Sequence, residues 1–543
     1  SSRFHLGCRR TFFMWYPEGD PPDGGLVLKP KGADRERIMA MLDEAGGLTP
    51  EHVRAVSQES GIPEADVYGV ATFYTLIARP NPGMRVCGGL SCRVAGAQEV
   101  LDDLTSNKTP HEIVSCLGQC DRAPVALDTE RNLVAYAPDR GGITPASDEL
   151  PMNLAGEDDA SYRALAAARA MGSDKVVAEL RASGLQGRGG AGFPAAIKWA
   201  ALLEQAETER YVVCNADEGE PGTFKDREIM LRRPHLMLEG LAIAAATIQT
   251  PTILIYIRGE FSAERQAVEQ AIAEASEALR DFDFQLVDGH GAYICGEETA
   301  LLEALEGRRG LPRLKPPYPT EAGYRGKPTL MNNVETLACV PPILLRGGEW
   351  FKAQGRTEPG SKLYCVSGHV KKPGVYELPL GVGLDELVEA SGGYLGTPKA
   401  FSPGGASSGF LPMSFREEPL DFGHLAKVGS MLGSAGVVVL NDTINMAWAA
   451  LEQAIFFEEE SCGQCAPCRI GTRVVRRALD QYTQSGSTKH LEYLDDVAWE
   501  MEAGSICGLG MTAGLPLQSA RKYFPEDFSE GATPSGVHGA RSI

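Results

Sequence analysis

Two groups of cysteines in this 543-residue chain have spacings able to hold a metal centre. Cys87 and Cys92 lie five apart and Cys116 and Cys120 four apart, each pair in a glycine-containing stretch with no histidine beside it. Four thiolates on two short loops can surround one centre. The spacer of the first pair is looser than those usual at structural zinc, and a [2Fe–2S] cluster held by four cysteines is chemically sensible there. On spacing alone both readings stand, the cluster ahead of zinc. The run Glu460-Ser461-Cys462-Gly463-Gln464-Cys465-Ala466-Pro467-Cys468-Arg469 places three cysteines at three-residue intervals, and Cys507 in Ile506-Cys507-Gly508-Leu509-Gly510 is available as a fourth ligand. Such a loop wraps three corners of a cubane, which reads as a [4Fe–4S] site. The other five of the thirteen cysteines, Cys8, Cys214, Cys295, Cys339 and Cys365, stand singly and read as small core residues.

Gly187-Arg188-Gly189-Gly190-Ala191-Gly192-Phe193-Pro194 contains G-x-G-x-x-G. That pattern marks a dinucleotide site only when it follows a strand, and here residues 176–181 read as a helix. Glycines still let backbone N–H groups approach a phosphate or a flat ring, and the start of the next helix, at 195–199, favours an anion. The strand 211–214 runs into Asn215-Ala216-Asp217-Glu218-Gly219-Glu220-Pro221-Gly222, so polar groups gather at a strand's C-terminal end, where α/β sheets bind ligands. Tyr293-Ile294-Cys295-Gly296-Glu297-Glu298-Thr299, Lys315-Pro316-Pro317-Tyr318 and Asn332-Asn333-Val334-Glu335-Thr336 add further polar clusters. Singly each reads as a turn or solvated face; with two cluster sites they indicate a redox-cofactor pocket.

The elements that position these groups follow from periodicity and turn chemistry. Residues 1–32 form an irregular arm, and 33–82 a helical bundle with Thr49-Pro50-Glu51 as cap, first-turn proline and first-turn acid. Residues 83–150 alternate short strands with helix, including a helix over 94–104, as a compact α/β domain. Residues 151–360 open with a polar linker and then alternate helices with apolar runs, which implies βα units and a largely parallel sheet. Residues 361–442 read as a small mixed β domain and 443–543 as helices ending in a polar tail. An apolar fraction of 43% and a charged fraction of 23% exclude a disordered or collagen-like chain despite 62 glycines. The net charge of −20 argues against nucleic-acid binding and against anionic membrane surfaces. The most apolar stretch, 236–257, is interrupted by Glu239, Gln249 and Pro251, so no direct membrane insertion is expected. With no secretory pattern at the start, a cytoplasmic location is the default.

These motifs carry a resemblance. Residues 187–199, 215–222, 293–299 and 460–469 resemble the NADH-oxidising flavoprotein subunit of respiratory complex I and its relatives in soluble NAD-linked formate dehydrogenases and hydrogenases. Val67-Tyr68-Gly69-Val70-Ala71-Thr72-Phe73-Tyr74 with Cys87, Cys92, Cys116 and Cys120 is similar to their thioredoxin-like [2Fe–2S] subunit, here fused in front. The resemblance spans roughly 33–528 with the motifs in family order. It implies an α/β multidomain chain: helical bundle plus thioredoxin-like ferredoxin domain, Rossmann-like FMN domain, β-grasp (SLBB-like) domain and C-terminal helical bundle. It implies FMN on Gly187, Arg188, Gly189, Gly190, Lys198, Asn215, Asp217, Glu218, Tyr293, Gly296, Glu297, Asn332 and Asn333. NAD(H) would stack with Phe193 and Tyr318 and meet Glu220, Glu298 and Lys315. Ala196, His290, Ala292 and Ala304 depart from the family pattern without touching a cluster ligand.

Hydride exchange between nicotinamide and flavin needs positioning rather than a side-chain acid or base. The expected basic groups around these anionic cofactors are Arg188, Lys198 and Lys315. The chain has an electron entrance and no terminal catalyst. The expected partner is a large catalytic subunit with further iron–sulfur clusters and a molybdenum or tungsten pterin, in an NAD-dependent formate dehydrogenase. The fusion of both modules and Cys507-Gly508-Leu509-Gly510 favour this reading over the alternatives, an NAD-linked hydrogenase diaphorase or a fused complex I subunit. A structural-zinc scaffold is the reading from another class.

Overall fold

The computed structural model describes residues 35–131, 133–138 and 141–532. The expected N-terminal arm, Cys8 and the end of the C-terminal tail lie outside the described residues. The helical bundle opens the described chain with Ile38–Glu44, Pro50–Ser60, Glu64–Ala71 and Thr75–Ala78. Thr49 caps the second of these by accepting the His52 N–H at 3.1 Å, Pro50 occupies the first turn, and Gly61 ends it at φ 71°.

The first sheet runs His111–Val114, Met84–Cys87, Ala126–Asp128, Leu133–Ala135, with the first pair parallel and the rest antiparallel. Its register puts Cys87 opposite Val114, so both cysteine loops leave the same end of neighbouring strands. The helix expected over 94–104 is two, Leu90–Val94 and Ala97–Ser106, because Gly96 takes φ 96° between them.

The second sheet is four parallel strands in the order Asp283–Asp288, Thr252–Ile257, Tyr211–Ala216, Thr329–Asn333. The expected parallel sheet is therefore present. The 236–257 stretch resolves into helix Pro234–Ile248, buried along most of its length, followed by strand Thr252–Ile257. Gly240 lets this helix approach the 334–338 helix closely: a Cβ there would sit 2.1 Å from the Leu337 carbonyl oxygen.

The third sheet orders Leu411–Pro412, Pro398–Ser402, Gly436–Asn441, Ser361–Gly368, Gly374–Pro379 and Gly142–Ile143. The last strand corrects the expectation from sequence, which placed 142–143 in the first α/β domain. It pairs instead with Gly374 and Val375, and the Glu377 carboxylate accepts the Met152 and Asn153 N–H groups at 2.9 Å each. The C-terminal helices are Met446–Glu460, Ala466–Ser485, Leu494–Gly504, Gly508–Thr512 and Leu515–Tyr523.

Apolar cores run across these units. One cluster joins Ile38, Leu42 and Tyr74 of the bundle to Leu301 and Leu305 and to Trp448, Phe456 and Leu479. Another joins Cys87, Cys92, Cys116 and Cys120 to Ala216, Ile257 and Phe261. Burying each large apolar side chain is worth about 1.5–3 kcal/mol, so these shared cores fix the units against one another.

Candidate functional site

The parallel sheet aligns Asn215 with Asn333 and Cys214 with Asn332, so the polar residues end two adjacent strands on one side. Asn215 Nδ2 donates to the Gly296 carbonyl at 2.8 Å, which draws the 293–296 turn over the strand ends. Asn332 Oδ1 accepts the Trp199 indole N–H at 3.0 Å. Asn333 caps helix Val334–Ala338 by accepting the Glu335 N–H and donates to Asp226 at 2.6 Å. The glycine loop folds back on itself, with Gly187 N–H bonded to the Phe193 carbonyl at 2.8 Å. Gly189 packs against Asn333, where an added Cβ would meet the asparagine Cβ at 3.0 Å, whereas one on Gly190 would find its nearest neighbour only at 4.0 Å. The loop thus offers open backbone beside the strand ends. Phe193 and Tyr318 are half exposed at 50% and 53%, leaving flat apolar faces open to solvent.

The charged residues are less simply placed. Glu220 accepts from the Tyr293 hydroxyl and from Ser407 N–H at 2.8 Å, tying the pocket to the third sheet's loop. One oxygen of Asp217, Oδ2, is buried with no hydrogen-bond partner, and burial pushes that carboxyl up to about 8. A hydrogen-bond donor on a bound ligand would satisfy it. The Glu218 carboxylate accepts the Asp226 and Arg227 N–H groups at 3.0 Å each, at the start of helix Lys225–Arg232. Arg188 is buried as well. Its guanidinium is fully buried behind the loop, with Nη2 on the Pro359 carbonyl at 3.1 Å and Nε and Nη1 unpartnered. Lys198 meets Glu298 at 3.1 Å, and Lys315 meets Glu298 at 2.8 Å and Glu297 at 2.9 Å. These lysines are neutralised by their carboxylates. The positive charge expected from the two lysines is therefore balanced within the site.

All four cysteines of the first group are buried together: Cys87 ends a strand, Cys92 lies in Leu90–Val94, Cys116 in a loop, and Cys120 opens a short 3-10 turn. Cys116 and Cys120 Sγ atoms are 4.0 Å apart. The hydrogen bond from Cys120 lowers the Cys116 pKa, but the one to Cys87 and burial outweigh it and push Cys116 up to about 12. Such thiols stay protonated until a metal's charge displaces the proton. In the second group, Cys465 immediately precedes helix Ala466–Ser485 without a side-chain cap bond, Cys507 precedes Gly508–Thr512, and Gly510 lies so close that a Cβ on it would meet Cys468 Cβ at 2.9 Å. Burial pushes Cys468 up to about 12 and Cys507 up to about 11. Among the described residues no three His, Cys, Asp or Glu side chains are arranged to hold a single metal ion. Four buried thiols grouped on two loops, as in the first set, are a donor set that fits an iron–sulfur cluster. Cys214, Cys295, Cys339 and Cys365 are buried in the cores, as expected.

Several residues that hold the site together carry no motif in the sequence. Arg258 donates to the carbonyls of Cys116 and Glu218, and Arg227 donates to Gly118 O at 3.0 Å, Gln119 Oε1 at 2.6 Å and Asp121 at 2.9 and 2.8 Å. Both dock the second cysteine loop onto the parallel-sheet unit. Of the departures from the family pattern, His290 has a local account: its carbonyl accepts Leu76 N–H at 3.0 Å and its ring lies edge-on to Tyr74, so it belongs to the contact with the fused bundle.

The fold and the site together define a flavin- and iron–sulfur-dependent oxidoreductase subunit. Four family descriptions match: Thioredoxin-like [2Fe-2S] ferredoxin over 28–139, Nuo51 FMN-binding domain over 180–342, SLBB domain over 363–411, and NADH-ubiquinone oxidoreductase-F iron-sulfur binding region over 448–531. An NADH-quinone oxidoreductase subunit of Rhizobium meliloti (strain 1021) is 47% identical over 388 residues, 68% of this chain and 91% of that protein. The corresponding NADH-quinone oxidoreductase subunit of Rickettsia typhi (strain ATCC VR-144 / Wilmington) is 43% identical over 67% of this chain and 91% of its own length. The crystal structure of an NAD+-reducing [NiFe]-hydrogenase in the H2-reduced state superposes with a TM-score of 0.83 at 30% identity, covering 92% of this chain and 94% of that one. The chain belongs to the family of the FMN-binding subunit of NADH-quinone oxidoreductase. FMN, one [2Fe–2S] and one [4Fe–4S] cluster are its cofactors.

Proposed function

We propose that this chain is the NADH-oxidising input subunit of a larger assembly, exchanging hydride with NAD(H) at the pocket and passing single electrons to a partner's catalytic centre. FMN, when bound, supplies the conversion between two-electron and one-electron chemistry. The observation that carries the reading is that the strand-end region reaches both thiol sets: Arg258 donates to the Glu218 and Cys116 carbonyls, and the charge of Glu297, which caps the helix after the 293–296 turn, acts on Cys462 and Cys507.

The glycine loop 187–190, open at Gly190, and the strand-end Asn215, Asn332 and Asn333 would hold FMN, with Asp217 Oδ2 accepting from it. Phe193 and Tyr318 would flank the nicotinamide nucleotide, and Glu220, Glu298 and Lys315 would meet its polar groups. Arg188 and Glu218 would act by shaping the loop and the helix start. Cys87, Cys92, Cys116 and Cys120 would ligate the [2Fe–2S] cluster, and Cys462, Cys465, Cys468 and Cys507 the [4Fe–4S] cluster. The units proposed are 33–82, 83–150, 151–360, 361–442 and 443–543, with 142–143 lent to the third sheet.

For the partner, the fused layout favours an NAD-linked dehydrogenase or hydrogenase over separate complex I subunits, since the hydrogenase chain matches 92% of this one and the NADH-quinone oxidoreductase relatives about two thirds. Within that class the similarity names a hydrogenase, while the sequence around Cys507 favours formate and a molybdenum or tungsten pterin partner. Co-purifying the assembly from its host and assaying NAD+ reduction with formate, with hydrogen and in reverse with a quinone separates these. Formate activity with a pterin metal supports the formate reading; hydrogen activity with nickel replaces it.

A further inference from the structure

Helix Met446–Glu460 ends in three successive glutamates, with no basic residue in its last turn. A carboxylate at the negative end of a helix dipole is locally unfavourable, so such a residue is expected to be held by something else. Glu460 is held on both oxygens. Oε1 accepts from the Ser115 hydroxyl, one residue before Cys116, and Oε2 accepts Tyr293 N–H at 3.0 Å, at the start of the pocket turn. The same residue stands two positions before Cys462. One side chain thus touches the loop of the first thiol set and the pocket turn, and its own backbone leads into the second thiol set.

We propose that Glu460 is a positioning residue that clasps the three redox sites into one register, fixing the [2Fe–2S] loop and the flavin turn relative to the [4Fe–4S] loop. The inference rests on the cofactor assignment above and gives a role to Glu460, which opens the cysteine run without being one of its thiol ligands. Arg258 supports the same loop from the other side through the Cys116 carbonyl.

The test compares Ser115→Ala, Glu460→Ala and Glu460→Gln in the purified full-length assembly. The readouts are bound FMN and the dithionite-reduced EPR spectrum of each cluster. Ser115→Ala cuts only the cluster side and is expected to change the [2Fe–2S] line shape while flavin content stays at the parent level. Glu460→Ala cuts both sides and is expected to change that line shape and to weaken FMN retention roughly tenfold, the effect of losing one hydrogen bond to a charged group. Glu460→Gln is expected to restore both readouts, because its amide oxygen accepts Tyr293 N–H while its amide nitrogen donates to a reversed Ser115 hydroxyl. A [2Fe–2S] spectrum identical to the parent in both alanine variants overturns the clasp, as does failure of glutamine to restore it. A parent assembly with no [2Fe–2S] signal refutes the cofactor assignment itself, and the clasp falls with it.

Discussion

Replacing Arg227 by methionine keeps the apolar stem and removes the charge that docks the second cysteine loop. The Arg227 side chain is 2% exposed and its partners Asp121 and Glu228 are 3% and 4% exposed. Removal strands these two carboxylates unequally. Glu228 keeps Arg232, which is 29% exposed and 2.5 Å away, whereas Asp121 loses a cation contacting both of its oxygens. Breaking a buried pair by removing one member costs roughly 3–5 kcal/mol. That corresponds to roughly two to four orders of magnitude in the opening equilibrium of the 116–122 loop. Chelator-driven iron loss, followed by EPR, reads this opening: the [2Fe–2S] signal is expected to decay far faster in Arg227→Met while the [4Fe–4S] signal keeps its parent rate. Adding Asp121→Asn neutralises the stranded charge and is expected to recover most of the protection. Parent-like decay in Arg227→Met, or a further loss on adding Asp121→Asn, refutes the docking role.

Glu220→Gln is expected to impair NADH oxidation more than FMN retention, measured as KM and kcat with a soluble dye acceptor beside the flavin content; unchanged NADH kinetics remove Glu220 from the nucleotide site. For Asp217 the native pKa, about 8, lies above the ordinary carboxyl value, so the native state holds its proton more tightly than the unfolded chain does. Its contribution to stability is full below about pH 4 and is lost as pH rises through about 8. Asp217→Asn should therefore gain stability relative to the parent across that window in flavin-free protein, and a constant difference in denaturation midpoint would contradict the assignment. Cys468→Ser is expected to abolish the [4Fe–4S] EPR signal, while Cys339→Ser leaves both cluster signals intact; loss of a cluster in Cys339→Ser would mean that the ligand sets are drawn wrongly.

The features legible in the sequence are local ones. Cysteine spacing marks both thiol sets because ligands on one loop must be close in the chain, and strand-end polar residues follow from the end of an apolar run. The parallel sheet is legible for the same reason, through the alternation of helix and strand periods. The long-range partners are not. Arg227 reads as an ordinary helix residue until the 118–121 loop packs on it. Glu218 reads as a pocket carboxylate until the backbone brings the Lys225–Arg232 start beneath it. The lysines read as free charge until Glu297 and Glu298 fold alongside. The 142–143 strand has too few residues to show a period, and its place is set by pairing across more than 230 positions to Gly374 and Val375.

Electron entry from NADH through flavin to the clusters is tested most directly by an anaerobic NADH titration of the purified chain in its assembly, followed by visible absorbance and EPR. The expected result is bleaching of flavin absorbance together with appearance of a reduced [4Fe–4S] signal, with dithionite then revealing any [2Fe–2S] centre that NADH leaves oxidised. A colourless protein, or a flavin and clusters that stay oxidised under NADH while dithionite reduces them, would contradict that role.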